Sequence, residues 1–266
     1  MKFIPLILAL TCASSVQGAL ILNEIFVNIP TSAGGDNGGE FFEIRSTTGG
    51  VESLSGLTFL VIEGDGPTAS GVIDVAISLS GFTTGPNGLF LWRDSAPVID
   101  ISTADGVQGP EAGTTLNVAD FNPDLENGTN TYLIVSGFTG AVGNDLDTNG
   151  DGTIDIALPW TSVIDAVGVL ETDAGTNLVY GSQLGFFDFA LLSFTPDAVF
   201  RDSAGIWQAG DIVGNSLTGP FGFDGVQNTF GAGPLATLTP GATNIPEPGV
   251  TLLGVFGVLG LLRRRR

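Results

Sequence analysis

Apolar and polar positions along this chain come in short bursts rather than in long periodic runs. Segments such as "ALILNEIFVN", "GEFFEIRS", "LTFLVIEG", "GVIDVAISL", "GLFLWRD", "TYLIVSGF", "SVIDAVGVL", "NLVYGS" and "DAVFRDS" recur about every ten residues. They are rich in β-branched and aromatic residues, which suit a pleated, half-buried surface. Turn formers such as "AGGDNGG", "TGPNG" and "NPDLENGTN" separate them. Between the termini no segment holds the 3.6-residue period of an amphipathic helix. The pattern therefore predicts an all-β fold, an antiparallel sandwich or barrel.

The two ends follow different rules. "MKFIPLILALTCASSVQGA" has Lys2, an apolar stretch and then small residues, the order of a secretory signal peptide over residues 1–18 that leaves Ala19 first. The apolar stretch is shorter than the roughly 20 residues a membrane anchor needs. At the other end Gly249–Leu262 is an uncharged run of 14 residues, followed by Arg263, Arg264, Arg265 and Arg266. As a helix that run reaches about 21 Å, short of the roughly 30 Å hydrocarbon core. The arginines compensate, because a basic cluster is retained on the cytoplasmic side and holds the preceding helix in the bilayer. An N-terminal signal helix, a C-terminal hydrophobic helix and transient membrane anchoring are expected.

Charge narrows the function. The 266 residues carry a formal charge of −20 and no histidine. Between Ala19 and Ile245 the only basic residues are Arg45, Arg93 and Arg201 against 27 acids, so the exported part carries −24. Nucleic acid is excluded as a partner, since neutralising phosphates needs Lys and Arg. The single cysteine, Cys12, lies in the signal segment. The mature chain thus has no disulfide, thiolate, imidazole or lysine nucleophile, and the sequence is read as non-enzymatic. Cations suit such a surface better.

Asp145 to Asp155, "DLDTNGDGTID", carries the sharpest chemical signal. Counting from Asp147, oxygen ligands fall at Asp147, Asn149, Asp151 and Asp155, with the Thr153 carbonyl between them and Gly152 at the bend. This is the spacing of an EF-hand-like Ca²⁺ loop, and its all-oxygen donor set suits a hard cation. The twelfth position is Leu158 rather than glutamate, so Asp145 or Asp165 has to complete the shell. The other reading is a polar hairpin loop that needs no ion, since Asn-Gly and Asp-Gly turn readily. A bound cation here would have a structural role.

Two resemblances add to this reading. Pro246-Glu247-Pro248, the apolar run and the arginine cluster together resemble the PEP-CTERM sorting signal of bacterial exported proteins over residues 246–266. That resemblance implies an exosortase as processing partner and delivery to the cell envelope, cell surface or extracellular matrix. "LILNEIFVNIP", "GGEFFEIRS" and "LSGLTFLVIEGDG" resemble the start of bacterial lamin-tail domains, and "LTPGATN" at Leu238–Asn244 their closing segment. The resemblance implies an elaborated immunoglobulin-like sandwich over 19–170, with 171–245 as a β-rich extension or continuation. Glu24, Glu40 and Glu43 occupy the acidic positions of that match, and alternation places them on the solvent side. A carbohydrate-binding module at the cell surface, with extracellular polysaccharide as ligand, is the second reading. Its platforms would come from Trp92, Trp160, Trp207, Tyr132 and Tyr180; the bland use of such aromatics is core filling.

Overall fold

A computed structural model describes residues 20–28, 39–95, 109–170, 176–192, 196–212, 223–227 and 238–242. The expected signal helix, the hydrophobic helix and every sorting-signal residue from Pro246 to Arg266 lie outside them.

Among the described residues the regular secondary structure is almost wholly strand. β1 (Leu20–Phe26), β2 (Phe41–Ser46), β5 (Leu89–Arg93), β6 (Thr115–Val118), β10 (Ala198–Arg201), β11 (Trp207–Ile212) and β12 (Phe223–Gln227) form one sheet. Its order is β12-β11-β10-β1-β2-β5-β6. β3 (Leu57–Glu63), β4 (Ile73–Ser78), β7 (Asn130–Ser136), β8 (Ser162–Val169) and β9 (Phe187–Asp188) form the second, ordered β4-β3-β7-β8-β9. The pairings are antiparallel except β5–β6 and β8–β9, so both sheets are mixed rather than purely antiparallel. Because β10 pairs with β1 and β9 with β8, the chain beyond residue 171 is woven into the same two sheets. One short helix, α1 (Gly66–Ala69), links β3 to β4.

The sheets pack face to face over one apolar core. Leu22, Ile25, Phe42, Ile44, Phe90 and Val199 come from the first sheet, and Phe59, Val61, Val75, Tyr132, Ile134 and Val167 from the second. At its centre the Phe42 and Phe59 rings stack across the interface, centroids 3.9 Å apart and 7° from parallel. β1 shows how sequence becomes register. The β1–β2 pairing slips between Leu22↔Ile44 and Glu24↔Glu43, leaving Asn23 as the extra residue of a bulge. Strict alternation from Leu22 would aim Glu24 inward and Ile25 outward. The bulge reverses this, and both Leu22 and Ile25 are fully buried in the core.

The bulge also leaves the Leu22 peptide without a ladder partner on the β10 side, where pairing begins at Glu24↔Phe200. The opposite sheet supplies one: Leu22 N donates to Asp165 Oδ2 of β8 at 2.9 Å. Arg201 Nε donates to Leu22 O at 3.0 Å, and its Nη2 holds both Asp165 oxygens at 2.9 Å. The Arg201 guanidinium lies 4.2 Å over the Trp207 ring, a cation–π contact. Burial raises the Asp165 carboxyl above its usual range and the Arg201 charge opposes that shift.

β3 is buried along its whole length. Leu57, Phe59 and Val61 face the central core. Leu60 and Ile62 face the other way, into a second cluster with Leu133, Val135, Leu146, Trp160 and Tyr180. The latter three come from the chain between β7 and β9, which lies over the back of the five-stranded sheet. "NLVYGS", expected as a strand, belongs to this cover. Tyr180 N donates to the Thr131 hydroxyl at 2.9 Å, and a 3₁₀ turn follows at Ser182–Leu184.

Phe59→Ala is expected to cost about 3–5 kcal/mol, the usual loss for emptying a packed aromatic site. Leu116→Ala on β6, where the side chain is 42% exposed, should change stability by less than about 0.5 kcal/mol. Urea unfolding of the two variants measures both.

Candidate functional site

The acidic loop of the sequence lies over the back of the five-stranded sheet. Leu146 is fully buried in the second cluster; its N–H donates to Gly71 O, and its carbonyl accepts from Asp155 N at 3.0 Å, closing the loop on itself. Gly71 has φ +89°, and a Cβ there would lie 2.6 Å from Asp147 Cβ, so only glycine lets the β3–β4 turn and the loop meet.

Asp147 is 2% exposed and forms the hub. Its Oδ2 accepts from Gly152 N at 2.8 Å and from the Tyr180 hydroxyl at 3.0 Å. Its Oδ1 accepts from Asp151 N at 3.2 Å. Asp145 Oδ1 accepts from Asp147 N, Asn149 Oδ1 from Asp151 N, and Asp151 Oδ1 from Thr153 N, at 2.9–3.0 Å. The Asp155 carboxylate takes the Thr148 N–H and hydroxyl. Gln183 clasps the loop from outside, its Nε2 donating to Gly152 O and its Oε1 accepting from Ile154 N. Burial raises the Tyr180 phenol, and its bond to Asp147 with the charges of Asp147, Asp145 and Asp151 raises it further. Asp147 alone bonds the buried Tyr180 hydroxyl, while Asp145 and Asp151 act on it through their charge; among the described residues the three carboxylates that come within 4.8 Å of one another lie elsewhere. A carboxylate oxygen carries more than one lone pair, so these single amide bonds leave acceptor capacity on an all-oxygen donor set.

The two residues considered for completing the shell separate. Asp145 stays in the loop, bridged to Val72. Asp165 belongs to the interior between the sheets, bound to Arg201 and Leu22, and does not reach the loop. Leu158, at the twelfth position, is 41% exposed.

The acids Glu24, Glu40 and Glu43, expected on the solvent side, are all fully buried. The bulge turns Glu24 onto the outer face of the seven-stranded sheet, directly opposite Glu43, and Leu238–Ala242 covers the pair. Thr239 Oγ1 donates to Glu24 Oε2 at 2.8 Å, and Thr239 N lies 3.2 Å from Oε1. Gly241 N donates to Glu43 Oε2 at 2.6 Å, while Asn23 Nδ2 donates to Glu43 Oε1. The segment turns tightly, with Ala242 N donating to Thr239 O at 2.8 Å. Pro240 and Gly241, at φ +79°, fill the two central positions of the turn. Burial pushes the Glu24 carboxyl up to about 7, partly offset by the Thr239 bonds. Burial and the Glu24 charge raise Glu43 well above the usual carboxylate range.

Sequence spacing gave no sign of a third group. The parallel β5–β6 pairing ends at Arg93↔Val118, and just beyond it Asp94, Asp120 and Asp124 bring carboxylate oxygens within 4.8 Å of one another. Residues 26 and 30 apart in sequence meet only through that pairing. Glu63, at the end of β3, is likewise pushed up to about 7 by burial. The aromatic residues weighed as sugar platforms fill the core instead. Tyr180, Tyr132, Trp207 and Trp160 are buried, and Trp92 packs among Phe42, Phe82 and Phe121 with its Nε1 donating to Ala119 O.

Between pH 4.5, the ordinary value, and about 7, folded Glu24 retains a proton that the unfolded chain has released. Its contribution to stability is therefore complete below about pH 4.5 and declines as pH rises to about 7. Glu24→Gln should flatten that decline in denaturation curves recorded from pH 4.5 to 8. Comparison with models of known protein families, with curated proteins and with solved structures found no match to this chain.

Proposed function

We propose that this chain is a non-enzymatic, exported protein of the bacterial cell surface or extracellular matrix. Its folded part is an immunoglobulin-like sandwich of lamin-tail type, stabilised by Ca²⁺ in the Asp145–Asp155 loop. The observation that carries the calcium reading is the folding of the loop around the buried Asp147, whose carboxylate takes the Asp151 and Gly152 amides and the Tyr180 hydroxyl, with the charges of Asp145 and Asp151 acting on the same phenol. Asn149 and Asp155 add their side-chain oxygens from the same turn, and Thr153 its carbonyl. A cation among them would offset carboxylate repulsion at the surface of a strongly acidic chain and pin the loop that covers the second apolar cluster.

Support for the sorting reading comes from the closing segment. Leu238–Ala242 is buried against the first sheet, and only Thr243, Asn244 and Ile245 separate it from Pro246-Glu247-Pro248. Cleavage near that tripeptide would release the sandwich with its last docked segment intact, and the arginine cluster would leave with the tail.

If calcium occupies the loop, adding it at about one hundred times its Kd should stabilise the protein by about 2.7 kcal/mol. For a domain of this size that raises Tm by about 5–10 °C. Chelation should reverse the gain, and Asp151→Ala should abolish it; a Tm indifferent to both calcium and chelator would refute the calcium reading. Mass spectrometry of the fractionated protein is expected to find a chain starting at Ala19 and ending near Pro246–Pro248 in the envelope or matrix fraction. An uncleaved chain in the cytosol would overturn the export reading.

A further inference from the structure

The carboxylates of Glu24 and Glu43 sit side by side on the outer face of the seven-stranded sheet, fully buried. What separates them from water includes one short piece of chain whose own polar groups are spent on them. Thr239 gives its N–H and hydroxyl to Glu24, and Gly241 its N–H to Glu43. The segment is held from its other side through Gly241 O, which accepts from Glu111 N at 2.9 Å and from the Thr114 hydroxyl at 2.6 Å. Among the described residues it pairs with no strand.

We propose that Leu238–Ala242 is a proton-operated latch, docked while the Glu24–Glu43 pair holds a proton and released when both carboxylates are ionised. Two adjacent buried negative charges are costly, and undocking returns both to water, where each is solvated and their repulsion is screened. The titratable groups around the pair are few. Arg45 of β2 acts on Glu43 from the same face and favours its ionised form. Arg93 of β5 lies on that face too, opposite Phe41. Glu111 meets the segment through its backbone, and Arg201 belongs to the inner face with Asp165. Burial lowers the Arg45 guanidinium without removing its charge, since arginine stays protonated in proteins. The direction agrees with the shifts of the pair: burial, to which the segment contributes, raises both carboxyls, and the Thr239 and Gly241 bonds offset part of that rise, so docking takes up protons and weakens as pH rises through about 7.

The latch stands on the sheet geometry and is independent of the sorting reading; its consequence for the tail rests on that reading. Docked, the chain can carry Pro246 no more than about 14 Å from Ala242, four residues away. Released, the segment no longer holds Pro246 within that reach of the sheet. Protonation would then set how far the sandwich stands from its anchored or processed end.

Hydrogen exchange of the full chain in detergent micelles tests this, with protection corrected for intrinsic rates. Between pH 5.5 and 8.5 the Thr239, Gly241 and Ala242 amides are expected to lose about tenfold or more in protection, as one linked proton gives over that range. Amides of β3 and β7 should keep theirs. In Glu24→Gln and in Glu43→Gln the loss should shrink, and in the double variant it should disappear, since burial raises each carboxyl and the Glu24 charge raises Glu43 further. Equal protection of the wild-type segment at both pH values overturns the latch without recourse to any variant. So does a loss shared by β3 and β7, or one that persists undiminished in both Glu43→Gln and Glu24→Gln.

Discussion

One extra residue in the first strand, Asn23, sets the terms for the rest of the molecule. The bulge there puts Leu22 and Ile25 on the same side, so β1 presents apolar residues to the core from both halves of its length. It also produces two polar problems, each solved by a different part of the chain. The unpaired peptide of Leu22 is met by Asp165 and Arg201 from β8 and β10. The displaced Glu24 lands beside Glu43, and the closing segment meets both. A strand without the slip would need neither the inter-sheet ion pair nor the cover. Bulges recur where a side chain must be re-aimed, and here one bulge fixes the register of the first sheet and the attachment point of its last described segment.

The second sheet has a comparable logic on its far side. A strand such as β3, buried at every position from Leu57 to Glu63, has to be covered twice. The opposing sheet covers one face and irregular chain covers the other, anchored through Leu146, Trp160 and Tyr180. Irregular cover leaves backbone amides to satisfy, and the aspartates of the loop accept them one after another. The features that mark the loop as a cation site are therefore also those that let it lie on an apolar surface. Asp147 joins the two roles, buried beneath the loop and bonded to Tyr180.

The charge of the molecule divides accordingly. Among the described residues Glu24, Glu40, Glu43, Glu63, Asp94, Asp147, Asp165 and Asp197 are buried, and the other acids whose exposure is described reach water. Glu24 and Glu43 are held by hydrogen bonds from a docked segment, and Asp165 by a guanidinium that reaches both of its oxygens. A cation in direct contact stabilises the ionised form of Asp165, whereas burial leaves the two glutamates leaning towards the protonated state.

Most strands were legible as apolar bursts between turn formers, because a half-buried strand has to alternate and a doubly buried one has to be apolar almost throughout. The oxygen spacing of Asp147 to Asp155 was equally plain, since those donors lie within one loop. What the sequence did not disclose depends on partners far along the chain. "TLNV" and "FD" are too short to stand out until β5 and β8 pair with them. "NLVYGS" has strand composition but covers a sheet instead of joining it. Glu24, Glu40 and Glu43 read as surface residues because nothing near them in the chain predicts a cover. The bulge does put Glu24 on the outer face beside Glu43, and the residues that bury the pair, Thr239 and Gly241, arrive from about two hundred residues away in the chain. Local chemistry thus determined the elements and the loop, while burial, register and the pairing of charges belonged to contacts that exist only once the two sheets have closed.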